Sequence, residues 1–199
     1  MSKRSTATRE TIVRACLATL REEGFAGTSA RAVARRGGFG QALIYYHFAD
    51  MQALLVAAVE RASSDRLARY HEVLEPVSSV AELAAALGDL YREDVAIGHV
   101  AAMQEIVGGA SSLPGLGRQV IELLRPWAEF ATETIARLVA GTPFESLVPA
   151  EDAAFAALAL YMGMETMTHL NGDREPGERL LQALAHVAPL ADAVRESSR

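Results

Sequence analysis

The sequence predicts an all-α chain of about nine helices, with a small three-helix N-terminal head followed by a larger helical body. Three observations lead there. Apolar residues recur at three- and four-residue spacing, and no segment shows the sustained strict alternation of half-buried strands. Gly, Pro and Ser clusters interrupt that rhythm at intervals suited to helix ends. Charge is unevenly divided: residues 1–50 carry eight Lys/Arg against four Asp/Glu, and residues 51–199 carry eleven against twenty-one, within a chain of net charge −6. With 199 residues, half of them apolar, the chain can build one large core or two small ones. A division into 1–50 and 51–199 follows from the charge split.

The first helix carries Cys16 on its apolar face and is punctuated by Gly24 and Gly27. The Thr28 hydroxyl is placed to cap the free N–H groups of a second helix over Ser29 to Arg36. In that helix Val33 and Ala34 face inward, and Arg31, Arg35 and Arg36 face solvent. Gly37 and Gly38 permit the positive φ of a helix C-cap, and Phe39 pins the turn. Gly40 is a tolerable N-cap for a third helix from Gln41 to about His47, with Ile44 and Phe48 inward at i and i+4. Its exposed face is then Gln41, Ala42, Leu43, Tyr45, Tyr46 and His47. Two short helices around a glycine turn, one bearing cations and the other amide and aromatic groups, form a helix-turn-helix pattern sized for a DNA major groove.

At these residues the sequence resembles the DNA-binding domain of the TetR family of bacterial transcriptional regulators. The likeness is carried by Ile12, Cys16, Leu20, Gly24, Phe25, Thr28, Ser29, Val33, Ala34, Gly38, Ile44, Tyr45, His47 and Phe48, and covers roughly residues 9 to 60. The resemblance implies that the third helix enters the major groove, with Gln41, Ala42 and Leu43 near base edges and Tyr45, Tyr46 and His47 near phosphates. It implies also that Arg31 can reach a base and that Thr28 belongs to the DNA-binding set. The chemistry is suitable: Gln pairs adenine in two places, Arg pairs guanine, and Ala or Leu touches a thymine methyl. The chain departs from the family pattern at Gly40, where Ser or Thr is usual, at Leu43, where a small or hydroxyl residue is usual, and at Met51, where Lys is usual. Those departures predict weaker electrostatic anchoring unless Lys3, Arg4 and Arg9 compensate.

Beyond Phe48, Asp50 can cap a long helix reaching about Leu74, and Pro76 with Ser78 and Ser79 breaks it. A helix from Val80 to about Ile97 follows, with Leu83, Leu87, Leu90 and Tyr91 at helical spacing, and Gly98 ends it. A short helix from His99 to Val107 is expected next, closed by Gly108 and Gly109 and the loop over 111–115. From Leu116 to Ala140 a stripe of Val120, Leu123, Leu124, Trp127, Phe130, Ile135 and Leu138 predicts a further helix, which Pro126 should kink or restart. The last two helices run from Ala150 to about Asn171 and from Pro176 to about Arg195, the latter bent at Pro189. Both are more apolar than one neighbour would require. They suit an isologous four-helix homodimer interface, as the resemblance also implies, or a buried hairpin within one chain. In a dimer, the two reading helices must match major grooves about 34 to 36 Å apart, so a near-palindromic operator is expected.

Control by a small molecule requires an apolar cavity with a few polar groups. The expected ligand set is His99, Met103, Trp127, Phe130, Tyr161, Met164, Glu165 and Met167, with Glu105, Thr166 and His169 as further polar neighbours. Each could instead be core or surface. An enzyme would need a nucleophile with its base, paired carboxylates or a metal set; no Gly-x-Ser-x-Gly, His-Glu-x-x-His or P-loop occurs, and the five His are scattered. No catalytic residue, metal or cofactor is therefore expected. The lone Cys16 excludes an internal disulfide and reads as a small core residue. Without an apolar leader or a membrane-length apolar run, a cytoplasmic protein with no membrane partner is expected. The functional expectation is a homodimeric repressor that binds an operator in double-stranded DNA and is released by a small, largely apolar effector. The alternative is a DNA-binding regulator controlled by a protein partner, or acting without a ligand.

Overall fold

A computed structural model of the protein describes residues 3–99, 103–105, 108 and 115–197. Nine helices are delimited among the described residues, and no strand occurs there: α1 (Lys3–Gly27), α2 (Ala30–Gly37), α3 (Gln41–His47), α4 (Met51–Leu74), α5 (Val80–Ala96), α6 (Leu116–Val139), α7 (Phe144–Leu147), α8 (Ala150–Asn171) and α9 (Glu175–Ser197). His99, residues 103–105 and residue 108 are helical too, where the short middle helix was expected over His99 to Val107; positions 100–102, 106 and 107, and the loop expected over 111–114, lie outside the described residues. No single helix is long and apolar enough to cross a membrane among the described residues.

By packing, the chain separates into two units. One comprises Met1–Arg66 with Gly98–Leu123, and the other Leu67–Ile97 with Leu124–Arg199. The chain passes between them three times, inside α4, between Ile97 and Gly98, and inside α6.

The first unit is built on Ile12, Cys16 and Leu20 of α1, Val33 of α2, Ile44 of α3 and Leu54 and Ala58 of α4, all fully buried. At roughly 1.5–3 kcal/mol for each large aliphatic side chain, this cluster is what holds two helices as short as α2 and α3, which would not persist alone. Val120 joins the same core, and Met103 and Leu123 pack against it.

The local chemistry of α2 and α3 differs in two places from expectation. Ser29, not Thr28, is the N-cap: its hydroxyl accepts from the Ala32 N–H at 3.2 Å, while the Thr28 hydroxyl donates to the Gly24 carbonyl at 2.7 Å. The extended backbone of Ser29 puts its oxygen within reach of the first turn, and Thr28 closes the preceding turn instead. Positive φ is needed at Gly38 (+71°) but not at Gly37. Gly37 is required for room, because a Cβ there would stand 2.0 Å from the Phe39 ring. The α3 boundaries and its Gly40 N-cap are as the sequence predicts.

The second unit has its core in Tyr70, Leu74, Val77, Leu90, Phe130 and Leu138. Helices α5 and α9 pack along one another. Asp192 of α9 accepts the N–H groups of Val80 (2.8 Å) and Ala81 (3.0 Å) at the start of α5, where Ser79 supplies the ordinary side-chain cap. Arg137 of α6 donates to the carbonyls of Leu74, at 2.9 Å, and Val77, closing the C-terminal end of α4. Pro126 neither restarts nor interrupts α6, and α9 likewise continues through Pro189. Both prolines are exposed, so water can serve the carbonyl left without its helical partner.

Candidate DNA interface and effector site

The αL cap at Gly38 and the extended backbone of Gly40 turn the chain sharply from α2 into α3. One side of α3 is fixed by Ile44 and the following Phe48, both buried. The other side leaves Gln41 and Ala42 exposed, with Tyr45 54% and Tyr46 81% exposed. Exposing two phenol rings has no packing benefit in an isolated unit, which makes this face a candidate contact surface. His47 is half-buried and stands edge-on to Tyr46 at 5.1 Å. Leu43 departs from the expected exposed face: it is half-buried and packs on the unit's core, because i−1 to the buried Ile44 lies on the flank of the helix.

The cations of α2 divide into two kinds. Arg35 pairs with Glu23 at 3.0 Å and Arg36 with Glu22 at 2.6 Å, so both tie α2 back to α1. Arg31 is exposed and makes no ion pair among the described residues, which leaves its full charge and its guanidinium fork for a partner. Arg9 lies over the Phe48 ring, 4.9 Å from its centroid. The side chains of Lys3 and Arg4 lie outside the described residues. At the start of α4, the Asp50 carboxylate caps the Ala53 N–H at 2.7 Å, and Met51 packs on the core.

The second unit holds a buried polar cluster. Tyr70 of α4 and Tyr161 of α8 both donate to the same oxygen of Asp94 on α5, at 2.8 and 2.7 Å, with their own hydroxyls 3.0 Å apart. Asp94 is 1% exposed. Trp127 stands edge-on to Tyr70 at 4.9 Å, and Tyr91 edge-on to Tyr161 at 6.2 Å. The Tyr91 hydroxyl shares a hydrogen bond of 2.6 Å with Thr168. Burial, with the nearby Asp94 carboxylate adding to it, pushes the Tyr70 phenol well above its ordinary pKa. Burial likewise pushes up Tyr161, followed by the fields of Tyr70, Glu165 and Asp94. Both phenols therefore stay protonated and serve as donors.

Comparison with known proteins bears directly on the first unit. Residues 12–58 match the family described as bacterial regulatory proteins, tetR family. The fold over nearly the whole chain is that of solved regulators. A TetR-family transcriptional regulator from Rhodococcus sp. is 20% identical, with a TM-score of 0.74 over 92% of this chain and 98% of that one. Residues 12–58 thus carry the DNA-binding domain of the TetR family. FadR from Bacillus subtilis, solved with stearoyl-CoA, is 13% identical with a TM-score of 0.76, over 90% of this chain and 96% of its own. The multidrug binding protein EbrR, solved with imidazole, is 25% identical with a TM-score of 0.62, over 88% and 93%. Among curated proteins, none matches the chain.

The chain thus has the TetR-type DNA-binding fold over its first helices, where Arg31, Gln41, Ala42, Tyr45 and Tyr46 are exposed on two mutually packed helices. The expected ligand residues are less uniform. His99, buried, and Met103, packed on the α1–α4 core, belong to the first unit. Trp127, Phe130, Tyr161, Met164, Glu165 and Met167 belong to the second, where Phe130 is core, with its ring centroid 4.1 Å from that of His71, and Met167 is 61% exposed. Sequence reasoning passed over Tyr70, Asp94 and Thr168, and took Tyr91 only as a packing residue. A signal was present: Tyr91 and Asp94 stand at i and i+3 beside Leu90, which places a carboxylate on the apolar face of α5.

Proposed function

We propose that the protein is a repressor that binds a near-palindromic operator as a homodimer and is released by a small, largely apolar effector. Its organisation in function is a DNA-reading part over residues 1–50 and an effector-binding and dimerising part over 51–199, acting in the cytoplasm. The observation that carries the DNA reading is the exposed α3 face, where Gln41, Ala42, Tyr45 and Tyr46 stand on a helix anchored from behind by Ile44 and Phe48. Gln41, Ala42 and Leu43 meet base edges. Tyr45, Tyr46 and His47 meet phosphates, Arg31 reaches a base, and Thr28 holds the turn between α1 and α2 from inside the interface.

Dimerisation is supported by α8 and α9, which leave Phe155, Leu170, Val187 and Leu190 at least half exposed. An apolar surface of that kind is stabilised by covering it with its symmetry mate. The effector reading is supported by Trp127, Tyr161, Met164 and Glu165 in the second unit, where Tyr161 bonds the buried Asp94, with His99, Met103, Phe130 and Met167 as the remaining proposed contacts. It is supported also by relatives of the same fold solved with stearoyl-CoA and with imidazole. An effector preferring the DNA-incompetent arrangement about 10⁴-fold, roughly 5.5 kcal/mol, would shift the population decisively.

The test is selection of bound fragments from random duplex DNA, followed by titration with candidate effectors. Recovery of a two-fold-symmetric sequence, and a small molecule that both raises thermal stability and weakens operator binding, is the expected result. A monomer with no preference among duplexes at low salt overturns the proposal.

A further inference from the structure

A single carboxylate from the segment between α5 and α6 meets the one point where α1 leaves its helical path. At Gly24 the backbone takes φ +70° and ψ 179°, and the helix is broken there. The break removes the Phe25 N–H from the helical ladder, and that N–H donates instead to Oε2 of Glu105, at 2.5 Å and 80 residues away in sequence. The geometry needs glycine twice over. An L-residue rarely takes this φ, and a Cβ at residue 24 would stand 3.1 Å from the same Glu105 oxygen.

The turn is bonded on its other sides as well. Thr28 donates its hydroxyl to the Gly24 carbonyl and its N–H to the Phe25 carbonyl at 3.1 Å. Immediately before the break, Glu22 and Glu23 hold Arg36 and Arg35 of α2. The direction in which α2 departs from α1, and with it the placement of α3, is therefore set by this short turn. Glu105 supplies it with a charge-assisted bond, a strong type of contact for a single backbone amide.

We propose that Glu105 is a positioning residue for DNA reading: it latches the α1–α2 turn in the orientation that presents α3. This rests on the DNA-reading function proposed above. Glu105 itself touches no base. The stretch Gly98–Leu123 belongs to the first unit, where Met103, Val120 and Leu123 join the core built from α1 to α4, yet the chain continues from both ends of that stretch into the second unit. The same contact is therefore suited to carry a change in the body to the reading helices.

The experiment compares Glu105→Ala and Glu105→Gln with the unaltered full-length chain, reading operator affinity, affinity for random duplex, and hydrogen exchange of the Phe25 amide. In Glu105→Ala we expect operator affinity to fall on the order of ten-fold, the value of one net hydrogen bond to a charged group, with random-duplex affinity nearly unchanged. Faster Phe25 exchange accompanies it. Glu105→Gln, which keeps an acceptor but not the charge, falls between and partly rescues both readouts. Operator affinity within two-fold of the unaltered chain in Glu105→Ala, or Phe25 exchange unchanged in it, overturns the latch. If Glu105→Ala does not fold, the Gln variant decides by the same two criteria. Should the unaltered chain discriminate no duplex at all, the DNA reading fails, and with it any role in DNA reading for Glu105, while unchanged binding in the variants of a discriminating chain sinks the latch alone.

Discussion

The two units handle polar groups in opposite ways. In the first, the α1–α2 ion pairs and the Ser29 and Asp50 caps lie at the surface or half-buried, and most of them join residues fewer than fifteen positions apart. In the second, the decisive contacts are buried or half-buried and long in range: Tyr70 and Tyr161 meet at Asp94, and Asp192 caps the start of α5 from 111 and 112 positions away. The first unit keeps its charges in water, where they remain available for the proposed DNA contact. The second unit stores its polar groups inside, where each one matters more, as the proposed ligand-responsive body would require. The chain carries a separate reporter for each unit, since its one cysteine, Cys16, is in the first and its one tryptophan, Trp127, is in the second.

The largest expected difference is in alkaline solution. Burial pushes the Cys16 thiol from 9.0 up to about 12. Because the folded pKa lies above the unfolded one, the associated stability is complete below pH 9 and is lost as pH rises toward 12. The loss is about 4 kcal/mol over that interval, at about 1.36 kcal/mol per unit. Tyr70 and Tyr161 act in the same sense but begin a unit later, since their unfolded value is 10.0. Cys16 reactivity should therefore rise before Trp127 fluorescence changes as pH is raised from 9. Simultaneous change in both reporters would remove the contrast, and Cys16→Ala should abolish the earlier phase.

Next in size is Asp94→Ala, which takes the shared acceptor from two buried phenols and should cost roughly 3 kcal/mol, read as a lower urea midpoint by Trp127 fluorescence. Asp94→Asn retains an acceptor and should cost less. Against it stands Gly37→Ala in the first unit, where the new methyl meets the Phe39 ring; about 2 kcal/mol is expected, read by Cys16 reactivity. If Asp94→Ala shifts the Cys16 reporter as much as the Trp127 reporter, the two units unfold as one.

This division also explains what was legible in the sequence. Helices α2 and α3, the Gly38 cap and the inward Ile44 and Phe48 follow from residues within a few positions of each other, so local chemistry sufficed. The cap at Ser29 was misassigned to its neighbour Thr28 because both carry a hydroxyl, and only the backbone angle distinguishes them. Leu43 was assigned to the surface because a seven-residue helix offers too few turns to define its flank. In the body, α8 was readable from its small residues and its ends, but the Asp94 cluster draws on α4, α5 and α8, and no local pattern brings residues 70, 94 and 161 together. A restart was expected at Pro126 because proline removes a helical hydrogen bond, and the sequence does not reveal that the proline itself stands exposed on a helix that continues past it.

The smallest stability effect separates the two kinds of arginine on α2. Arg35 is paired but largely exposed, and such pairs contribute at most about 1 kcal/mol, so Arg35→Ala should move the urea midpoint little and less still at high salt. Its cost in DNA binding should also be small, since its charge is already matched by Glu23. Arg31→Ala should leave stability unchanged, because no ion pair is lost, but should reduce operator affinity by about 1 to 3 kcal/mol and relax preference at one base pair. Fluorescence anisotropy on operator and random duplexes across a salt series distinguishes the two. Equal losses for Arg31→Ala and Arg35→Ala on both duplexes would mean that α2 serves only as a cationic surface, and that base reading belongs to α3 alone.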